Sequence, residues 1–294
     1  MKNYHHIVIG TLFWLSLAGC KKDNITGSAD DIPGLGGDTW TQTDIDTWLY
    51  DNFTKPYNTD VKYKWSQSEL VDVNRFVTPV DEAKVVPIMK CLDSILISPY
   101  ETVAGADFMR RYLPRFIILF GSAAYEADGT RVQGQAEGEG RILLFELNNF
   151  RVKGMTGYLS EDSVGAKRLF HIIEHEFGHT LHGNIMYPVD FKTITGSYTT
   201  NWYNYTDGQA NEKGFISNYA MSGPDDDFVE TLSILLVEGQ TSFENLLNTI
   251  SSEEGKTALA QKAATVRDYM RNAWNIDFAT LQKQTRTAIE RYTK

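Results

Sequence analysis

His175-Glu-Phe-Gly-His179 lies within Gly165-Ala-Lys-Arg-Leu-Phe-His-Ile-Ile-Glu-His-Glu-Phe-Gly-His-Thr-Leu-His182, and how that run is read decides the fold. On a 3.6-residue period Phe170, Ile173, Phe177 and Leu181 fall on one face, and His171, His175, His179 and His182 on the other. The spacing predicts an amphipathic helix whose second face carries imidazoles in place of the usual Lys and Glu. Residues four apart stand about 5–6 Å from each other on a helix, so the rings of His175 and His179 can reach one metal ion. Glu176 lies about 100° round the helix from His175, outside ligand reach but well placed beside a metal-bound water. Two His with an adjacent Glu is the zinc hydrolase arrangement: zinc lowers the pKa of its bound water towards ~7 and the Glu takes the proton. Gly178 has no side chain and lets a neighbouring element pack close. Three ligands on one straight helix splay too far to share a metal. His171 and His182 are therefore expected to support a ligand from behind or to face solvent, with His182 kept as an alternative ligand.

A chain of 294 residues that is 42% hydrophobic and 22% charged bounds one globular domain or two small ones. Its 15 Tyr, 15 Phe and 6 Trp are ample for a sizeable core. A net charge of −10, with no basic stripe, argues against nucleic acid as a partner.

The N-terminus reads as an export signal. Lys2 leads into Ile7-Val-Ile-Gly-Thr-Leu-Phe-Trp-Leu-Ser-Leu-Ala-Gly19, too short for a membrane span and suited to a signal-peptide core. Leu17-Ala18-Gly19-Cys20 looks like a bacterial lipobox, with Cys20 the acylated first residue of the mature chain. Lys21, rather than Asp, follows the Cys, so nothing suggests retention at the inner membrane. The expectation is a lipoprotein signal over residues 1–19, a flexible tether over 20–42 and one domain over 43–294, anchored in the outer membrane on its periplasmic or cell-surface face. Cys91 is then the one cysteine left, in an apolar helical pattern, and no intramolecular disulfide can form.

Residues 21 to about 40 are Lys-, Asp-, Ser- and Gly-rich, as flexible tethers are. Thr43-Asp-Ile-Asp46 caps a helix that runs through Trp48, Leu49 and Phe53 and ends at Pro56-Tyr57-Asn58, and Val61–Trp65 alternates like a strand. Helices are expected from about Val80 to Ile97 and near Ala104 to Tyr112. Pro114–Phe120 and Gly140–Leu147 are apolar runs bounded by Gly and Pro, consistent with strands. By analogy with metallopeptidases that carry such a metal helix, where an edge strand just upstream pairs with the substrate backbone, residues 140–147 are expected to form that edge. The Tyr-, Thr- and Gly-rich passage 184–223 has little periodicity, and so long an irregular segment is expected to cross the active-site face. Residues 253–275 and 277–292 read as polar amphipathic helices that close the domain.

A catalytic zinc takes three protein ligands and one open position. In Pro224-Asp-Asp-Asp-Phe-Val-Glu-Thr-Leu-Ser-Ile-Leu-Leu-Val237, Pro and acids mark a helix start. Phe228, Leu232, Leu235 and Leu236 form its core face. Asp226 and Glu230 share the opposite side, with Asp227 on the flank. Asp226, Glu230 and Asp227 all stay candidates for the third ligand. If Asp226 binds metal, Glu230 orients a ligand His.

Trp48-Leu-Tyr-Asp-Asn-Phe-Thr-Lys-Pro-Tyr-Asn58, His175–His182, Tyr187-Pro-Val-Asp-Phe191 and Asp226-Asp-Phe-Val-Glu230 together resemble the zinc-binding metallopeptidase lipoproteins of Bacteroidetes-type bacteria. The resemblance covers most of residues 44–294. That family often carries Glu where Asp226 stands. The chain more distantly resembles the catalytic domain of anthrax lethal factor, a Glu-zincin with His-Glu-Phe-Gly-His followed by an acid-x-x-x-Glu helix. There a tyrosine seven residues before the ligand acid serves the transition state. Tyr219 holds that position relative to Asp226, which implies a hydrogen bond to the developing oxyanion.

The resemblance implies an α+β, zincin-like metallopeptidase domain with a mixed sheet, an active-site helix and a mainly helical C-terminal part. It implies zinc as cofactor and a peptide or protein substrate, cleaved by a zinc-bound water that Glu176 activates. The alternatives are an inactive, zinc-stabilised surface lipoprotein with a binding role, or a zinc hydrolase of a non-peptide amide.

Overall fold

Two short apolar runs at the centre of the chain build the sheet. Phe116–Leu119 (β2) and Arg141–Leu144 (β6) pair in parallel, with Phe116 opposite Arg141 and Leu119 opposite Leu144. Both read as near-continuous hydrophobic runs because both faces of the sheet are covered. Alternate side chains go opposite ways. Ile117, Leu119, Ile142 and Leu144 join the main core, while Ile118, Phe120, Leu143 and Phe145 form a second cluster.

The computed structural model describes residues 41–64, 75–125, 129, 131–132, 134–137 and 140–294. The signal segment 1–19, Cys20, most of the tether and Trp65 at the end of the first predicted strand lie outside the described residues. Thr43–Lys294 forms one compact unit, an α+β fold that is mainly helical around a small mixed sheet.

Thr43 and Asp46 close a reciprocal capping box at the start of α1 (Asp44–Leu49). The helical path continues through a π turn (Tyr50–Thr54) and a last turn (Lys55–Tyr57), then stops at left-handed Asn58. β1 (Asp60–Lys62) pairs in parallel with β2. α2 (Glu82–Leu92) passes through a π turn (Asp93–Ile97) into α3 (Ser98–Ala104), and α4 (Ala106–Tyr112) follows. The break thus falls at Gly105 (φ 86°), later than the sequence spacing suggests. Pro99 is the second residue of α3, directly after the π turn. Cys91, on α2, is buried in the core.

A two-stranded ribbon, β3 (Ala124–Tyr125) with β4 (Arg131–Val132), leads to β5 (Gly134–Glu137), which pairs antiparallel to β6. The sheet order is β1-β2-β6-β5. This corrects the expectation for residues 140–147: β6 is bonded on both sides, and its ladder groups are already used. The edge is β5, which carries no apolar alternation and owes its place to backbone pairing.

The imidazole-bearing helix is α5 (Asp162–Asn184), with Phe170, Ile173, Phe177 and Leu181 buried as the period requires. Past it, the irregular passage holds single-turn helices and short α6 (Asp207–Asn211). α7 (Pro224–Thr249) runs past Val237 to a kink at Gly239 (φ 84°), where Arg286 donates to the Val237 carbonyl. α8 (Glu253–Trp274) and α9 (Phe278–Thr293) close the domain. α5 and α7 approach closely at Gly178: a methyl group there would stand 3.0 Å from Val229 Cγ1 and 3.3 Å from Leu232 Cδ2. That close crossing brings the acids of α7 to the imidazoles of α5.

Candidate metal centre

α5 places His175 and His179 one turn apart, with their Nε2 atoms 3.2 Å from each other. The first turn of α7 brings in Asp226, whose Oδ1 lies 3.5 Å from His179 Nε2 and 3.8 Å from His175 Nε2. Zinc bonds of about 2.0–2.1 Å in a tetrahedron put neighbouring donors roughly 3.3 Å apart, and the triad's separations of 3.2, 3.5 and 3.8 Å lie close to that spacing. A second cluster, His171, His175 and Glu230, also gathers three donors. There Glu230 Oε1 sits 2.8 Å from His171 Nε2 and 2.9 Å from His175 Nδ1. Those are hydrogen-bond lengths, too short to span an ion between them.

The far side of each ring is engaged too. The Nδ1–H of His175 donates to Glu230, which leaves Nε2 free to bind. His179 Nδ1 lies 2.9 Å from His182 Nε2, and buried His182, with its pKa pushed down to about 4 by burial and by His179, is the neutral acceptor. His182 therefore supports His179 and lies outside the donor triad. Glu230 is 3% exposed; burial works against its charge, but His171 and His175 outweigh that and hold its pKa well below the usual range. Ser217 Oγ donates to its second oxygen at 2.5 Å. Ser222 donates to Asp226 Oδ2 at 2.8 Å, which leaves Oδ1 facing the two imidazoles. Asp226 is likewise held ionised against burial, by His179 and Ser222.

Asp227 points the other way, into the interior. Its carboxylate meets Lys262 Nζ at 2.6 Å, both side chains fully buried, and accepts from Tyr198 at 2.8 Å. It takes no part in the donor cluster.

Glu176 is 6% exposed, beside the triad and against β5. Burial raises its pKa, opposed by His175, His179 and a hydrogen bond from the Ala136 N–H. A methyl group on Gly134 would stand 3.1 Å from Glu176 Oε1, so the edge strand passes directly over this carboxylate. The ring of Tyr219 lies 5.7 Å from that of His175 and packs edge-on against Trp202 at 4.9 Å. Burial and the carboxylates of Asp226, Glu176 and Glu230 raise the pKa of its phenol, so it stays a donor at neutral pH.

These groups line a cavity of about 1040 Å³ bounded by α5, α7, β5 and the irregular passage, the last through Thr200, Trp202 and Asn218. The site partners that sequence reasoning missed are Ser217, Ser222 and β5. None stands in a periodic pattern. The Ser217 and Ser222 signal was proximity in sequence to Tyr219 and Asp226; for β5 there was none beyond the Gly content of 134–140.

A family described as "Putative zinc-binding metallo-peptidase" matches residues 38–279. A crystal structure of a "putative zinc-binding metallo-peptidase" from Bacteroides caccae ATCC 43185 is similar, with 29% identity and a TM-score of 0.66 over 85% of this chain and 91% of that one. Among curated proteins none matches.

Proposed function

The chain belongs to this zinc-binding metallo-peptidase family, and on that premise we propose that it is a zinc-dependent metallopeptidase that hydrolyses peptide bonds. His175, His179 and Asp226 hold the zinc, and Glu230 and His182 fix the two rings from behind. The observation that carries this reading is the convergence of two Nε2 atoms and Asp226 Oδ1 at tetrahedral spacing, with a buried non-ligand carboxylate, Glu176, alongside.

When bound, zinc supplies a Lewis acid that acidifies water towards a pKa of about 7 and polarises a carbonyl. Glu176 takes the proton of the attacking water and passes it to the leaving amine; its raised pKa suits both halves of the transfer. β5 is the sheet edge along the cavity wall, so an extended peptide can lie beside it there. Tyr219, half-open to the cavity, donates its hydroxyl to the developing oxyanion. An intact Glu176 favours an enzyme over a zinc-stabilised strut, which has no use for a buried base beside its metal. The Leu17–Cys20 sequence supports anchoring in the outer membrane through acylated Cys20.

The test is metal analysis of purified chain followed by digestion of a mixed peptide library. About one zinc per chain with chelator-sensitive cleavage is expected. A zinc-loaded chain inert to every peptide across pH would overturn the peptidase reading.

A further inference from the structure

The cavity is longer than the catalytic groups need. Its α5 wall runs from His179 through Glu176 and Ile172 to Arg168, eleven residues apart along one helix. At about 1.5 Å per residue that is about 16 Å, enough for roughly five residues of extended chain. The middle of the cleft is apolar, with Ile172 facing Ile234 and Val237 of α7 and Val132 of β4 on its walls.

The far end is charged. Arg131 is bonded there to Glu146, and Glu238 to Lys167 at 3.2 Å. Asp207, also on the cavity wall, accepts the Asn218 N–H. Arg168 is exposed, and among the described residues its guanidinium has no ion pair or hydrogen bond. It also walls a second cavity of about 210 Å³, lined by Phe145, Leu147, Phe150 and Leu169 on one part and by Glu146, Arg151, Glu161 and Asp162 on another, which adjoins the first across Ile172. A planar cation without an ion pair, one helical turn from the apolar middle of the cleft at Ile172, can receive a carboxylate carried on an otherwise apolar segment.

We propose that Arg168 is a specificity-determining residue that binds a substrate carboxylate, an acidic side chain or a free C-terminus, at the end of the cleft away from His179. The proposal rests on the peptidase reading above. Arg168 is eight residues from Glu176, about 12 Å along the helix, so the carboxylate belongs about three to four residues from the scissile bond. The chain is then a peptidase for peptides with an apolar stretch next to an acidic residue or terminus.

Binding tests this without requiring turnover. Full-length chain carrying Glu176→Gln, loaded with zinc, is titrated with fluorescent decapeptides that place Glu, Gln or Lys at each position in turn. Each peptide is made with a free and with an amidated C-terminus. Glu at one position, or the free terminus, is expected to tighten binding about tenfold over its neutral partner, the scale of one charge-assisted contact. Preference for Glu in amidated peptides identifies a side chain; preference for the free terminus alone identifies the terminal carboxylate. Adding Arg168→Ala should abolish the preference, and adding Arg168→Glu should turn it towards Lys. Peptides that bind regardless of charge, or an acidic preference that survives Arg168→Ala, overturn the role of Arg168 alone. If no peptide of any charge binds, the peptidase reading falls with it.

Discussion

Glu230 Oε1 accepts the Nδ1–H of His175 at 2.9 Å, and the same oxygen lies 2.8 Å from His171 Nε2. In the proposed centre one carboxylate thus fixes the tautomer and the tilt of the His175 ring while contributing no ligand atom itself. The division of labour between Asp226 and Glu230, four residues apart on α7, follows from that contact.

Removing the two acids should therefore have different effects. Asp226→Ala should abolish stoichiometric zinc, whereas Glu230→Gln should keep zinc with affinity lowered about 10–100-fold. Competition against a chromophoric chelator reads both. A zinc-free Glu230→Gln beside a fully loaded Asp226→Ala would move the ligand role to Glu230.

Asp227 and Lys262 form a fully buried pair at 2.6 Å, with the Lys262 ammonium 3.9 Å from the centre of the Phe215 ring. Breaking such a pair leaves one charge stranded, which costs about 3–5 kcal/mol, whereas neutralising both partners costs far less. Urea unfolding of Lys262→Met should show that loss, and Lys262→Met with Asp227→Asn should recover more than half of it. Additive losses in the double variant would mean the two residues act independently.

Asp46 gives the fold an acid limit at its N-terminal end. Burial disfavours its charge, but the Thr43 N–H, Lys64, Tyr63 and the Thr43 hydroxyl outweigh burial and hold its pKa far below the usual carboxylate range. A carboxyl depressed in the folded state stabilises the fold fully above its unfolded pKa of about 3.9, and that stability is lost as pH falls below it. The Tm gap between wild type and Asp46→Asn should be widest near pH 7 and should shrink below about pH 4. A gap that stays constant down to pH 2.5 would contradict this role.

Much of the proposed metal centre was legible because its residues are local. His175, Glu176 and His179 share two turns of one helix, and the apolar face opposite them fixes how that helix is set into the core. Asp226 and Glu230 were legible as a pair, but their roles depend on how α7 crosses α5 at Gly178, which no periodicity encodes. The edge strand was misplaced for a physical reason: Gly134-Gln-Ala-Glu137 has no hydrophobic pattern and is held by backbone bonds to β6, whereas apolar 141–144 only resembled an edge. Asp227 looked like a dipole-compensating acid at a helix start, and its buried partner lies a whole helix away in α8.

Membrane anchoring has a direct check. Wild-type chain should fractionate with the outer membrane, and Cys20→Ser should release it to the soluble fraction. Membrane association that survives the substitution would remove Cys20 as the anchor.

If Glu176 is the proton acceptor of a zinc peptidase, Glu176→Gln should remove the acceptor and leave the metal in place. The amide keeps the size of the side chain but cannot take a proton, and general-base catalysis is typically worth about 10²–10⁴-fold. Measured as kcat/KM on a peptide the wild type cleaves, with zinc content and melting temperature followed in parallel, the variant should bind zinc and fold as wild type does yet lose at least about two decades of activity. An equally active Glu176→Gln chain with its zinc in place would contradict the account.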